Sequence, residues 1–357
     1  MFWNSRVRNL SPYVPGEQPK DRQFIKLNTN ENPYPPSPKV IEAIKRAADD
    51  RLRLYPDPEC TEFREAVAVR YNVKIEQVFA GNGSDEILAF AFGAFFESRE
   101  KGEKILFPDI TYSFYPVYAD LWDIPYRTIP LCDDFTINPA EYKVSSGGVI
   151  LPNPNAPTAI ALPLDDLLSI AEYLKQQEKV FIVDEAYVDF GAQSAVPYIN
   201  KYSNLLIMRT LSKSESLAGL RAGFAIGSEE LIEGLCRVRD SFNSYTLDRL
   251  ALAGASAAVS DERYYNEINK RVIATREKTA AALRELNFIV LPSSANFLFI
   301  KPPHTGGAEF FASLREQGIL VRHFNRERIS DYLRVSIGTD KDMDKFIDVC
   351  KEIIKEK

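Results

Sequence analysis

The chain has 357 residues, 45% hydrophobic and 26% charged, with a formal net charge of -6 and a pI near 5.3. That length exceeds the usual size of one hydrophobic core and predicts a large domain with a smaller partner, while the composition excludes disordered and fibrous classes. The acidic balance excludes a basic nucleic-acid footprint and leaves room for a local positive pocket.

The first residues lack the apolar stretch of a signal peptide, and no run of about 18 apolar residues occurs, so a soluble cytoplasmic protein with no membrane partner is expected. Cys60, Cys132, Cys236 and Cys350 are widely spaced and form no C-x-x-C pair, which suggests neither a metal site nor a disulfide framework.

The proline cluster from Asn32 to Pro38 is an extended connection. The helix it enters, Pro38 to about Asp50, carries Val40, Ile41, Ile44 and Ala47 on one face, and a second helix follows Pro58. Beyond it, short apolar runs alternate with helical stretches. Strands are predicted at Val78 to Ala80, Lys104 to Phe107, Tyr126 to Ile129, Val149 to Leu151, Val180 to Val183, Leu205 to Met208 and Phe224 to Ile226. Helices fall near Asp85 to Phe96, Tyr112 to Leu121, Leu164 to Gln176 and Glu229 to Arg239. This is the pattern of an α/β domain with a seven-stranded, mostly parallel sheet flanked by helices.

After residue 246 one long helical stretch, Leu247 to about Leu286, leads into a smaller αβ region. Its strands are predicted at Phe288 to Leu291, Phe297 to Ile300, Gly318 to Val321 and Leu333 to Ile337, with helices near Ala308 to Gln317 and Lys341 to Lys355. The domains expected are 28–250 for the large unit and 1–27 with 251–357 for the small one.

The sharpest chemical signal is Leu205-Leu-Ile-Met-Arg-Thr-Leu-Ser-Lys213, an apolar strand ending in a hydroxyl beside a lysine. A partly desolvated lysine has a lowered pKa and is nucleophilic toward an aldehyde, although most lysines are merely solvated surface charges. Upstream, Val180-Phe-Ile-Val-Asp-Glu-Ala-Tyr187 is a second apolar strand that ends in Asp184, with a phenol at Tyr187. Open α/β sheets bind ligands at the carboxyl ends of their strands, so Asp184 and Lys213 are expected to face one crevice; the alternative for Asp184 is a simple turn cap. In Phe79-Ala-Gly-Asn-Gly-Ser-Asp-Glu86 a strand passes through a glycine turn into a helix. Such a start offers freed N–H groups to phosphate, though glycine pairs also make ordinary turns. Arg221, in Gly219-Leu-Arg-Ala-Gly223, is a further candidate anion partner or an ordinary surface arginine.

In this order, and with the Pro154-Asn155-Ala-Pro-Thr158 loop, these motifs resemble the fold type I pyridoxal phosphate aminotransferases, and within them the histidinol-phosphate aminotransferase family. The resemblance extends through Val7-Arg-Asn-Leu-Ser-Pro-Tyr13, Leu27-Asn-Thr-Asn-Glu-Asn-Pro33, Leu54-Tyr-Pro56 and Leu333-Arg-Val-Ser-Ile-Gly-Thr339, covering nearly the whole chain. Family members often have Asn-Asn-Pro-Thr-Gly where this chain has Asn155-Ala-Pro-Thr-Ala159, and Asp109-Ile-Thr-Tyr112 lacks the second proline common there.

The resemblance implies pyridoxal 5'-phosphate as cofactor, with Lys213 joined to its aldehyde and later shuttling a proton, and Asp184 paired with the ring nitrogen. Tyr187 and Asn155 are implied at the phenolic oxygen and Tyr112 on the ring face. The amides of Ser84 and Asp85, the Ser212 hydroxyl and Arg221 are implied at the phosphate, with the Asp85 side chain pointing away. Tyr55 is the residue expected to reach the phosphate of a neighbouring subunit, so a homodimer with shared sites is implied. Substrate contacts fall to Tyr13, Asn32, Arg322 and Arg334, the two arginines together around a substrate phosphate and Arg334 alone on the carboxylate of glutamate. The reaction implied is transamination from L-histidinol phosphate to 2-oxoglutarate. Alternatives are an aromatic amino acid aminotransferase, a threonine-phosphate decarboxylase, and a non-catalytic module that retains the cofactor fold.

Overall fold

The computed structural model describes residues 2–19 and 23–355; residues 1, 20–22 and 356–357, which belong to the small unit expected from the sequence, lie outside the described residues. The chain opens with a short helix α1 (Ser5–Asn9), a strand β1 (Ile25–Lys26), and helices α2 (Pro38–Ala47) and α3 (Thr61–Tyr71). Ser37 caps α2 through its side chain, with Pro38 in the first turn where no donor is lost.

The expected alternation follows as β2 (Val78–Gly81), α4 (Gly83–Phe95), β3 (Ile105–Pro108), α5 (Phe114–Leu121), β4 (Tyr126–Ile129), β5 (Val149–Pro152) and α6 (Leu164–Gln176). It continues as β6 (Phe181–Asp184), β7 (Leu205–Thr210), β8 (Gly223–Ile226) and α7 (Glu229–Phe242). These strands form one seven-stranded sheet in the order β2-β8-β7-β6-β5-β3-β4. All neighbours are parallel except β8, which runs antiparallel to both β2 and β7.

The strands are apolar throughout because both faces are covered. Successive side chains go to opposite layers: Phe181 and Val183 join a cluster with α3 and α6, and Ile182 joins one with α4, α5 and α7.

The long helical stretch expected after residue 246 is instead two helices, α8 (Arg249–Val259) and α9 (Glu262–Glu285). The break falls at Asp261, whose carboxylate leaves the helical line to accept from Ser37 Oγ at 2.5 Å and Lys39 Nζ at 2.7 Å at the start of α2. A tertiary contact thus overrides local helical propensity.

The remainder is β9 (Ile289–Val290), β10 (Phe297–Lys301), α10 (Gly307–Glu316), β11 (Ile319–Leu320), β12 (Arg322–His323), β13 (Leu333–Ser336) and α11 (Asp340–Lys355). Strands β12-β13-β10-β9 make an antiparallel sheet, while β11 leaves it and pairs in parallel with β1. Leu27 packs in the same apolar cluster as Val272, Phe310, Leu333 and Phe346, whereas Ala251, Ala255 and Ala258 of α8 pack with the seven-stranded sheet. Among the described residues no helix is long and apolar enough to cross a membrane.

Candidate functional site

Register fixes where the chemical groups meet. Asp184, the last residue of β6, pairs with Met208 of β7. Thr210 at the end of β7 and Gly81 at the end of β2 both pair with Gly223, the first residue of β8. The turns after β2, β6 and β7 and the turn before β8 therefore open on one edge of the sheet. A cavity of about 220 Å³ lies there. Lys213, Asp184, Tyr187, Ser84, Asp85, Tyr112, Ser212 and Arg221 line it, together with Tyr13, Arg322 and Arg334 from the periphery.

Asp184 is buried and Lys213 partly buried, and both are perturbed. Burial lowers the Lys213 amine to about 8, with nearby Arg334 acting in the same direction. Its Nζ donates to the Thr29 carbonyl at 3.1 Å. Burial raises the Asp184 carboxyl to about 6 against a hydrogen bond from the Ala186 amide at 3.0 Å. Tyr115 Oη donates to its other oxygen at 3.3 Å. A carboxylate so placed is stabilised by any cation that enters beside it.

One corner of the cavity is built for an anion. The first-turn amides of α4 have no intrahelical acceptor, Asn82 makes no side-chain cap, and the helix dipole favours negative charge there. Gly83 sits at φ 78°, and a Cβ added to it would fall 2.6 Å from Arg221 Nη2. Arg221 Nη1 donates to Ser212 Oγ at 3.4 Å, and its Nη2 donates to Asp85 Oδ2 at 3.2 Å. The Asp85 carboxylate, expected to point away, instead lines the cavity and also accepts from Tyr112 Oη at 2.7 Å. Arg221 supplies the reason: its charge draws the nearest carboxylate toward itself.

At the other end, Arg334 is partly buried, and desolvation lowers its pKa. Its Nη2 donates to the Asn28 carbonyl at 2.8 Å, its Nε is buried without a partner among the described residues, and its guanidinium lies over Phe297 and Phe324. Arg322 lies over the same Phe324 ring. Tyr13 reaches the cavity stacked on Phe114 at 4.2 Å. Burial raises the Tyr187 phenol, which accepts from Asn30 Nδ2 at 2.9 Å.

Three residues singled out from the sequence do not line the cavity. Asn155 is turned inward: its amide nitrogen donates to the Ile110 carbonyl and Thr158 Oγ1, its oxygen accepts from Thr111 Oγ1, and Ala156 stands on the cavity wall. Asn32 grips the main chain, donating to the Lys213 carbonyl at 3.1 Å. Tyr55 is 80% exposed and stacks on Tyr245 at 4.6 Å. Conversely, Asn28, Thr29, Asn30 and Glu31 line the cavity without having been given roles; only their polar run between Leu27 and Pro33 hints at it.

The donor set suits pyridoxal phosphate in three places: an anion corner for the phosphate, a desolvated amine for the aldehyde, and a buried carboxylate for a cationic ring nitrogen. A family model described as aminotransferase class I and II matches residues 22–349. The chain is 55% identical to histidinol-phosphate aminotransferase of Clostridium acetobutylicum over 99% of both chains. It is 54% identical to histidinol-phosphate aminotransferase 1 of Bordetella parapertussis, over 99% of this chain and 98% of that one. In fold it is similar to the Sinorhizobium meliloti histidinol-phosphate aminotransferase solved in complex with pyridoxal-5'-phosphate, with a TM-score of 0.87 and 22% identity over 99% and 98% of the two chains. The chain belongs to the class I and II aminotransferases and, among them, to the histidinol-phosphate aminotransferase family.

Proposed function

We propose that this chain is a pyridoxal 5'-phosphate-dependent transaminase that passes the amino group of L-histidinol phosphate to 2-oxoglutarate, giving imidazole acetol phosphate and L-glutamate in histidine biosynthesis. The observation that carries the reading is the cavity itself, which joins the Lys213 amine and the Asp184 carboxylate to a cationic end formed by Arg322 and Arg334. When bound, the cofactor supplies an aldehyde and an electron-withdrawing ring.

The chain's own residues divide the remaining work. Lys213 Nζ would hold the aldehyde and, when free, would move the proton at the substrate carbon. Asp184, ionised beside a cation, would pair with the ring nitrogen. Tyr187 would serve the phenolic oxygen and Tyr112 the ring. With Ala156 on the wall and the Asn155 amide spent elsewhere, the role at the phenolic oxygen would fall to Tyr187 rather than Asn155. Ser84, Asp85 and Ser212 offer amides and a hydroxyl to the phosphate, with Arg221 adding a bidentate cation once Asp85 yields it. Arg322, Arg334 and Tyr13 suit a substrate dianion, and Asn32 acts through the Lys213 main chain.

Tyr55 is exposed, adjacent in the chain to exposed Leu54 and stacked on Tyr245, which supports a homodimer in which it reaches the partner's phosphate site. The domain division proposed is the one read from the sequence, 28–250 against 1–27 with 251–357, with Leu27 supporting its first boundary and α8 favouring a second boundary after Val259. A cytoplasmic location fits the reaction.

The deciding experiment mixes the holoenzyme with histidinol phosphate and, separately, with phenylalanine while the cofactor absorbance is followed. Faster conversion to the pyridoxamine form with histidinol phosphate is the expected result; faster conversion with phenylalanine, or carbon dioxide release from threonine phosphate without a keto acid, overturns the assignment.

A further inference from the structure

Beside Lys213, among residues that do not line the cavity, five ionisable side chains form one cluster, with Arg209, Glu185 and Glu215 buried and Arg70 and Asp189 partly buried at its edge. Arg209 of β7 donates through Nη2 to both oxygens of Asp189 at 2.7 and 2.8 Å and through Nη1 to Glu185 Oε2 at 3.1 Å. Glu185 also accepts from Ser194 Oγ and the Ala195 amide, both at 2.7 Å. Arg70 of α3 donates to Glu215 Oε1 at 3.1 Å, and Tyr71 Oη accepts from Arg209 at 2.9 Å. The negative charge of Glu215 also acts on Tyr265 of α9, whose Oη accepts from the Ser37 amide.

The network is joined at Ser214, the residue after the lysine. Ser214 Oγ lies 2.6 Å from Asp189 Oδ2 and 2.5 Å from Glu215 Oε2. A serine hydroxyl has one proton to give, so with both acids ionised one of these short oxygen pairs would hold no hydrogen. Contacts this close need one, and the second proton must come from a carboxyl. Asp189 has both oxygens on Arg209, which keeps it ionised; Glu215 has a single longer contact to Arg70. A neutral Glu215 also balances the cluster, leaving two arginines against Asp189 and Glu185, which is the condition for burying such a group without a large penalty. Burial independently pushes the Glu215 carboxyl up.

We propose that Glu215 is held as the neutral acid, its O–H donated to Ser214 while Ser214 donates to Asp189, and that the network so closed is the positioning element that fixes the Lys213 main chain. Glu185 follows Asp184 and Ser214 follows Lys213, so the same cluster grips both cavity residues while Asn32 holds the Lys213 carbonyl. Glu215 and Ser214 are positioning residues. Their importance for turnover rests on Lys213 being the cofactor lysine; the location of the proton does not.

The test begins with infrared spectroscopy of the wild-type holoenzyme at pH 8. A carboxylic acid C=O band that shifts on carbon-13 labelling of glutamate and disappears in Glu215→Gln is expected; carboxylate bands alone, or an acid band that survives Glu215→Gln, overturn the proposal. A wild-type spectrum with no labelled acid band overturns the proposal even if the variant does not fold. For positioning, Ser214→Ala is expected to lower kcat about 10-fold with KM held within about 2-fold and to shift the pH midpoint of the cofactor absorbance, with Ser214→Thr restoring both. A variant that loses thermal stability but keeps that midpoint and kcat makes the role merely structural and overturns it. Failure of borohydride labelling at Lys213 would sink the transaminase reading while leaving the infrared result untouched.

Discussion

Gly83 and Arg221 pack so closely that a Cβ on the glycine would meet the guanidinium, 2.6 Å from Nη2. Bare backbone at this position lets the arginine and the first-turn amides of α4 point into the same corner. Gly83→Ala adds strain at φ 78° and displaces the cation. Cofactor affinity should fall about 10-fold or more, a loss of roughly 1.4 kcal/mol, measured by titrating apoprotein with pyridoxal phosphate. Ser84→Ala keeps the backbone amide and should change this affinity by less than about 3-fold.

Asp184 sets stability against function in the apoprotein. Its folded pKa of about 6 lies above the unfolded value, so ionising it in the fold costs free energy; that cost is absent at low pH and fully present above about pH 6. Asp184→Asn should therefore stabilise the apoprotein by about 3 kcal/mol at pH 8 and by nothing near pH 3, while lowering kcat by at least about 100-fold. Thermal melts across pH and single-turnover rates check the two halves.

The two peripheral arginines should separate the half-reactions. Arg322→Leu is expected to raise KM for the phosphate-bearing donor by about 10-fold to 100-fold and leave the glutamate half-reaction within about 3-fold. Arg334→Leu should impair both, because its buried Nε and its hold on the Asn28 carbonyl serve the site in either direction. Equal losses for both substrates in Arg322→Leu would remove Arg322 from phosphate recognition.

Tyr55 tests the assembly. Tyr55→Phe should weaken cofactor affinity about 10-fold without changing sedimentation, whereas Leu54→Glu should dissociate the dimer, because it places a charge in the exposed apolar surface beside Tyr55. A monomer in the wild-type protein, or an unaltered affinity in Tyr55→Phe, removes the shared site.

The seven strands of the large sheet were legible because each is a short apolar run bounded by turn residues, and their ends located Asp184, Lys213 and Gly83 without further information. Asn155 was less legible: the motif places an asparagine in the loop, but which of two adjacent positions faces the cavity depends on the carbonyl of Ile110 and the hydroxyls of Thr111 and Thr158, contacts from outside the motif or across its turn. Strand β1 is two residues long, and its partner Ile319–Leu320 is nearly three hundred residues away, so no local pattern identifies it. Asp261 was hidden for the converse reason, since a continuous helical pattern gave no sign that its carboxylate would leave for Ser37 and Lys39. Arg209, Glu185 and Glu215 lie inside or beside the recognised motifs, yet their mutual pairing is purely tertiary.

The Lys213 amine gives the last prediction its sign. With a folded pKa of about 8, the fraction of free amine rises with pH, and the rate at which apoprotein takes up pyridoxal phosphate should rise with it and level off above a midpoint near 8. Arg334 pushes this amine down and Asp85 pushes it up. Arg334→Met should therefore move the midpoint to higher pH and Asp85→Asn to lower pH, with burial keeping both below the value of an ordinary lysine. The same burial destabilises the fold while the amine is charged, fully below about pH 8 and not at all once pH exceeds the unfolded value. Lys213→Met should accordingly stabilise the apoprotein at pH 7 and lose that advantage as pH rises past 10. Midpoints that move together in the two variants, or a Lys213→Met apoprotein no more stable than wild type at pH 7, would show that the amine is solvated rather than buried.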